Sequence, residues 1–206
     1  TFQIWCLLLG IFAASSLQAQ KETELKIGVL AHRGYERALH MWEPTAEYLS
    51  SKIPNYTFKI IPLTNDDIQQ MVEQQKIDFV LTNPASFASM EFTLGVSRMA
   101  TVRNRGRNGS YTVYGSVIFV RADRTDIKSI ADLRGKSFMA VHRQAFGGWW
   151  MAMREMQLHG IKDINDFGEV QFVGFPQDQI VYAVRDGKTV AGTVRTNILE
   201  RMEAEG

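Results

Sequence analysis

Leu25-Lys26-Ile27-Gly28-Val29-Leu30 is an apolar hexapeptide that gives way to the polar turn Ala31-His32-Arg33-Gly34-Tyr35 and then to an amphipathic stretch, residues 36–51. In that stretch Leu39, Trp42, Ala46 and Leu49 recur at three- and four-residue spacing, which puts them on one helical face. Pro54-Asn55 breaks the helix. Residues 56–62 (YTFKIIP) read as a second strand, 66–75 as a second helix and 77–81 (IDFVL) as a third strand. The order β-α-β-α-β predicts parallel strands joined by crossover helices, because strands running the same way cannot be linked by a tight hairpin. This run decides the fold class, which is α/β.

Working toward the C-terminus, residues 86–94 read as a third short helix leading into 97–102, and 111–121 as a long strand with Gly115 and Ser116 in its middle. The pattern then restarts: helix 127–133, strand 138–141, helix 148–159, strand 169–173, helix 177–186, strand 190–194, and a charged helical pattern over 196–205. Two α/β sets separated near 120–126 predict two lobes, 20–120 with a crossing strand and 121–206, the second incomplete.

Toward the N-terminus lies the most hydrophobic run, residues 2–17, followed by small residues and Leu17-Gln18-Ala19-Gln20. That order fits an export signal over 1–19, with Ala19 the last residue removed, or an uncleaved N-terminal anchor. The apolar part is shorter than the roughly 20 residues that span a bilayer. Cys6 stands at the start of the run and not after its small residues, which argues against a lipid anchor. The chain begins at Thr1 without a basic leader and stops after a charged helical pattern, so it reads as a piece of a longer protein.

The composition excludes several function classes. With 45% hydrophobic and 22% charged residues the chain is an ordinary globular one. Its net charge of +1 gives no footprint for nucleic acid. Arg103, Arg105 and Arg107, interrupted by Asn104, Gly106, Asn108 and Gly109, form a solvated loop or part of an anion-facing rim. A single cysteine permits neither an internal disulfide nor a thiolate metal site.

Ligands of open parallel sheets sit beyond the carboxyl ends of the strands, which selects four places here. His32 and Arg33 put a titratable donor and a permanent cation after the first strand, either as one wall of an anion site or as a polar loop. Thr82, Asn83 and Ser86 flank a helix start at Pro84, where free N–H groups can hold an oxyanion or where Asn83 is a simple cap. Phe146-Gly147-Gly148 open a helix before Trp149-Trp150, and the two glycines let a ligand approach the backbone. The adjacent tryptophans cannot share a helix face, so one belongs to the core and the other to the cleft or an interlobe contact. Arg195-Thr196 end the last strand, as ligand contacts or as surface residues near a helix start.

Catalytic patterns are missing. His32, His40, His142 and His159 have no metal-ligand spacing, and neither a phosphate-cradling glycine motif nor a Gly-x-Ser-x-Gly elbow occurs. The reading therefore involves no enzyme activity for this chain, no cofactor and no metal.

The motifs IGVLAHRG with WEPTAEYL, DFVLTNPASF, VIFVRADRTDIKSIADLRGK, FGGWWMAMREM, GFPQD and AGTVRTNILERMEAEG, in this order, resemble the phosphate/phosphonate-type periplasmic binding proteins of the type 2 fold. Within them the chain is most similar to the sensory domains of tetrathionate-sensor-like histidine kinases. The resemblance implies a two-lobed fold that closes on a small anionic ligand. Its contacts would come from His32, Arg33, Thr82, Asn83, Ser86, Ser116 on the crossing strand, Phe146, Gly147, Gly148, Arg195 and Thr196. His142-Arg143-Gln144-Ala145 departs from relatives, which carry smaller or acidic polar residues there, and this leaves the identity of the ligand open. The resemblance further implies a periplasmic domain tethered to the inner membrane through its signal, its anchor or a later transmembrane part, with a response regulator as the partner of a parent kinase. The alternative is a free binding component of an ABC importer for phosphonate or a related oxyanion.

Overall fold

The computed structural model describes residues 22–106 and 109–206; the proposed signal segment and Arg107 lie outside the described residues. The first half of the chain forms β1 (Thr23–Leu30), α1 (Tyr35–Lys52), β2 (Tyr56–Leu63), α2 (Asn65–Glu73), β3 (Phe79–Leu81) and α3 (Pro84–Leu94). The strands make a three-stranded sheet in the order β2-β1-β3, parallel throughout. Both faces are covered. Val29, Ala46 and Ile60 pack with Leu39 and Trp42 of α1 on one face, and Leu30, Leu63 and Ile68 with Met71 of α2 on the other. This is why the C-terminal half of β1, residues 27–30, is a continuous apolar run and does not alternate. Val29 pairs with Leu81, so the segments at Ala31 and Thr82 leave the sheet side by side.

The second half contributes β4 (Asn104–Gly106), β5 (Gly109–Tyr111), β6 (Ser116–Val120), β7 (Ser137–Ala140), α4 (Met151–Leu158), β8 (Glu169–Phe172), α5 (Asp178–Arg185), β9 (Ala191–Arg195) and α6 (Ile198–Glu205). The second sheet has the order β6-β9-β7-β8, with β6 antiparallel to β9 and the other pairs parallel. One face buries Phe138, Ala152, Met156 and Ile161; the other buries Met139, Val141, Ile180 and Val194. Two sheets, each clad by helices on both faces, give the chain two cores.

Several local expectations need correction. The strand expected over 111–121 is broken. Residues 112–115 lie outside any strand because Tyr114 turns aside to meet Phe146 and Arg195. Beyond the end of the β6·β9 ladder, Gly115 still exchanges hydrogen bonds with Thr196. The strand counted with the first lobe, β6, hydrogen-bonds in the second sheet. Of the arginine cluster, Arg105 lies in a strand, since Asn104–Gly106 pairs antiparallel with Gly109–Tyr111, while Arg103 lies outside it. The helix expected over 148–159 opens as a π-turn, Phe146–Trp150, before becoming α4. In place of helix 127–133 there is one 3₁₀ turn, Ile130–Leu133, capped reciprocally by Ser129 and Asp132.

Candidate functional site

The loop after β1 and the loop before α5 face each other across the two halves of the molecule. Ala31, His32, Arg33, Gly34 and Arg37 line one side of an open cavity of about 240 Å³, and Phe175 and Pro176 line the other. The His32 ring meets Phe175 edge to face at 4.7 Å between centroids. Although it keeps contact with solvent, His32 is crowded enough that desolvation lowers its pKa to about 4, and the positive charges of Arg195 and then Arg33 push the same way. His32 is therefore a neutral imidazole in a positive field.

Arg33 is not free. Its Nη2 lies 3.1 Å and 3.2 Å from the two carboxylate oxygens of Asp178, the first residue of α5. Asp178 also accepts from Nη2 of Arg201 on α6 at 2.5 Å. Neither Asp178 nor Arg201 stood out in the sequence, since Arg33 and Asp178 lie 145 residues apart.

Arg195 occupies the end of β9. Its backbone N–H donates to Oε1 of Gln177 at 2.8 Å, and its guanidinium lies over the Tyr114 ring, 4.7 Å from the centroid. The half-buried side chain forms no ion pair among the described residues, and its buried Nε has no hydrogen-bond partner there. Tyr114, also missed by sequence reasoning, meets Phe146 edge to face at 5.6 Å, and burial raises its pKa while Arg195 opposes the rise. The signal that could have found it was its place one residue before Gly115-Ser116.

The remaining candidates split between framework and cleft. The Ser116 hydroxyl donates to the Gly147 carbonyl at 2.5 Å, and the Thr196 hydroxyl accepts from the Gly115 N–H at 3.2 Å. Both tie the glycine turn to the strands beneath it. A Cβ on Gly147 would come within 2.8 Å of the Tyr114 ring and 2.9 Å of the Gly115 carbonyl, and one on Gly148 within 2.4 Å of Val141. These glycines are required by close packing of the protein on itself. Asn83 caps α3, accepting from the N–H groups of Ala85 and Ser86 and donating to the Ser86 hydroxyl. Thr82, by contrast, has a buried hydroxyl with no hydrogen-bond partner among the described residues.

Ser86 lines a second cavity of about 160 Å³ with Asn65, Gln69, Ser89, Gln144 and Trp150. Asn65 is buried and its Oδ1 lacks a partner among the described residues. Trp149 packs in the core against Phe138 and Phe172, whereas Trp150 is 45% exposed at this cavity and donates from Nε1 to the Arg143 carbonyl. The two tryptophans thus divide as their adjacency predicts.

The structure brings His32, Arg33 and Arg195 into one electrostatic neighbourhood and joins Ser116, Phe146, Gly147 and Thr196 to it through Tyr114 and Gly115. Thr82, Asn83 and Ser86 stand at the start of α3, which packs against the π-turn. No group of three His, Cys, Asp or Glu side chains suited to a metal occurs among the described residues. Positive charge and uncharged donors gather around the facing loops, chemistry suited to holding an anion.

Comparison with known proteins bears on this geometry. Residues 27–206 match the family model described as the periplasmic substrate-binding protein of a phosphonate ABC transporter. The tetrathionate sensor histidine kinase TtrS of Salmonella typhimurium is 36% identical over 181 residues, which is 87% of this chain and 30% of the kinase. The chain thus spans less than a third of that relative. Among solved structures, PhnD1 of Prochlorococcus marinus in complex with methylphosphonate superposes with a TM-score of 0.70 at 18% identity, over 87% of this chain and 66% of that one. A binding-protein component of an ABC phosphonate transporter from Pseudomonas aeruginosa gives 0.64 at 14% identity, over 89% and 61%.

Proposed function

The chain belongs to the phosphonate-type periplasmic substrate-binding family, and from that premise we propose that it captures a small oxyanion between its two lobes as the sensory domain of a membrane histidine kinase. The fold is the type 2 periplasmic binding fold, and the domain itself is a binding module. Residues 20–120 and 121–206 are the proposed lobes, with β6 crossing to pair in the second sheet. His32, Arg33, Thr82, Asn83, Ser86, Ser116, Phe146, Gly147, Gly148, Arg195 and Thr196 wall the proposed site. Arg195 and Thr82 face the ligand, while Asn83, Ser116 and the glycines hold the walls.

The observation that carries the reading is Arg195. It is a half-buried guanidinium with no carboxylate partner among the described residues, beside an imidazole that its charge helps keep neutral. A half-buried cation without a carboxylate partner calls for an anion, because charge-assisted hydrogen bonds to it are the strongest available there. Substituting Arg195→Ala is expected to abolish the rise in melting temperature that methylphosphonate, phosphate or tetrathionate gives the unmodified domain. An undiminished rise would remove Arg195 from the site.

The sensory role is supported by the 36% identity to a sensor kinase; tethering to the inner membrane and signalling to a response regulator belong to the same proposal. The likeness to transporter components favours the alternative, a free binding protein serving an ABC importer. Kinase autophosphorylation that responds to the oxyanion in the full-length parent protein would decide for the sensor.

A further inference from the structure

Three charged side chains meet at the mouth of the cleft in an unequal way. Asp178 is one carboxylate serving two guanidinium groups, Arg33 from the first half of the chain and Arg201 from α6. Arg33 reaches both carboxylate oxygens through the same nitrogen, Nη2, at 3.1 Å and 3.2 Å. That is a single-nitrogen contact, looser than the two-nitrogen fork in which an arginine grips a carboxylate most firmly. Arg201 holds the carboxylate more closely, at 2.5 Å. The side chains of Arg33, Asp178 and Arg201 are 30%, 20% and 24% exposed, so water screens these contacts only in part. Beside Arg33 lies the 240 Å³ cavity, whose other charged lining residue among the described residues is Arg37.

We propose that Asp178 is a built-in counter-ion for Arg33, which an incoming oxyanion displaces, leaving Asp178 held by Arg201 alone. Asp178 thereby sets the affinity of the cleft, because every ligand must outbid a carboxylate of the protein itself. It also sets the selectivity of the cleft. A singly charged carboxylate ligand gains little by exchange, whereas a doubly charged oxyanion with more acceptor atoms gains more. The exchange moves the link between the halves from protein–protein to protein–ligand and changes the charge seen by α6. The inference rests on the oxyanion-binding reading above.

The two substitutions that test it have opposite expected signs. Asp178→Asn removes the competitor and is expected to tighten the binding of methylphosphonate and inorganic phosphate roughly two- to tenfold, read by calorimetric titration. Arg201→Met leaves Asp178 wholly to Arg33 and is expected to weaken binding, an effect that vanishes when Asp178→Asn is also present. A carboxylate that merely positions Arg33 would give weaker binding in Asp178→Asn. Weaker or unchanged binding there, with the unmodified domain binding normally, overturns the competitor role and spares the oxyanion reading. Absence of binding by both proteins overturns the two together. If Asp178→Asn fails to fold, the Arg201→Met result decides: unchanged or tighter binding overturns the inference.

Discussion

At the residue scale His32 shows how position alone sets the charge of a side chain. Its pKa of about 4 lies below the ordinary 6.5 because burial and the charges of Arg195 and Arg33 penalise the imidazolium. Between these two values the unfolded chain binds a proton that the folded chain does not, so stability rises with pH through that window. The contribution is fully present above 6.5, is lost as pH falls toward 4, and is flat below. His32→Gln should match the unmodified domain in melting temperature near neutral pH and lose less of it on acidification to about pH 4. Parallel losses in the two proteins would refute the shift. An oxyanion bound beside Arg195 would relieve part of the penalty, so binding near pH 5.5 should take up protons, seen as a binding heat that depends on the ionisation heat of the buffer. The strand-end rule located this residue from sequence because β1 ends where its apolar run ends. It could not show that Arg33 is already paired, since Asp178 comes from the far end of the chain.

At the scale of elements the π-turn Phe146–Trp150 is the most constrained piece. Gly147 lies against Tyr114 and the Gly115 carbonyl, and the Ser116 hydroxyl holds its own carbonyl. Backbone on one side leaves nowhere for a new methyl group to go. Gly147→Ala is expected to destabilise the domain by about 1–3 kcal/mol in urea unfolding, the usual cost of overpacking. A loss well under that range would mean that the turn yields. The glycine pair was legible as a place of close approach, but what approaches is Tyr114, brought there by the break in the strand expected over 111–121. The periodicity continues across the break, and its local signature is Gly115-Ser116, residues poorly suited to a strand interior. Tertiary contacts of Tyr114 and the Gly115–Thr196 pairing override the local preference. The hairpin Asn104–Tyr111 escaped notice for the opposite reason, as its strands are too short and polar to alternate.

At the scale of the molecule, the described residues form two helix-clad sheets and the small β4-β5 pair, and loops of the two larger sheets face each other. The alternation of apolar runs with amphipathic ones made the two α/β sets legible, because each core needs its own strands and helices. Strand order was not legible. Nothing in β6 itself says that it pairs with β9 and not with the sheet that precedes it, and antiparallel pairing of these two depends on chain direction through residues 112–115. Among the described residues the halves meet at Arg33 with Asp178, the His32 ring with Phe175, His142 with Asp66 at 3.6 Å, α3 with the π-turn, and the cavity bounded by Asn65 and Trp150. Among the described residues no apolar core cluster spans both halves, which suits lobes that move relative to one another.

Trp150 gives that motion an optical readout. Trp149 is sealed in the core and Trp42 of α1 packs on the first sheet, so among the described residues Trp150 is the indole whose surroundings depend on how the halves sit. If methylphosphonate draws the lobes together as proposed, water leaves the Trp150 ring and its fluorescence should move to shorter wavelength, a change that Trp150→Phe removes. Emission that stays fixed at saturating methylphosphonate would mean that the cleft fills without closing. If occupancy closes the cleft, one half-exposed ring turns that occupancy into colour.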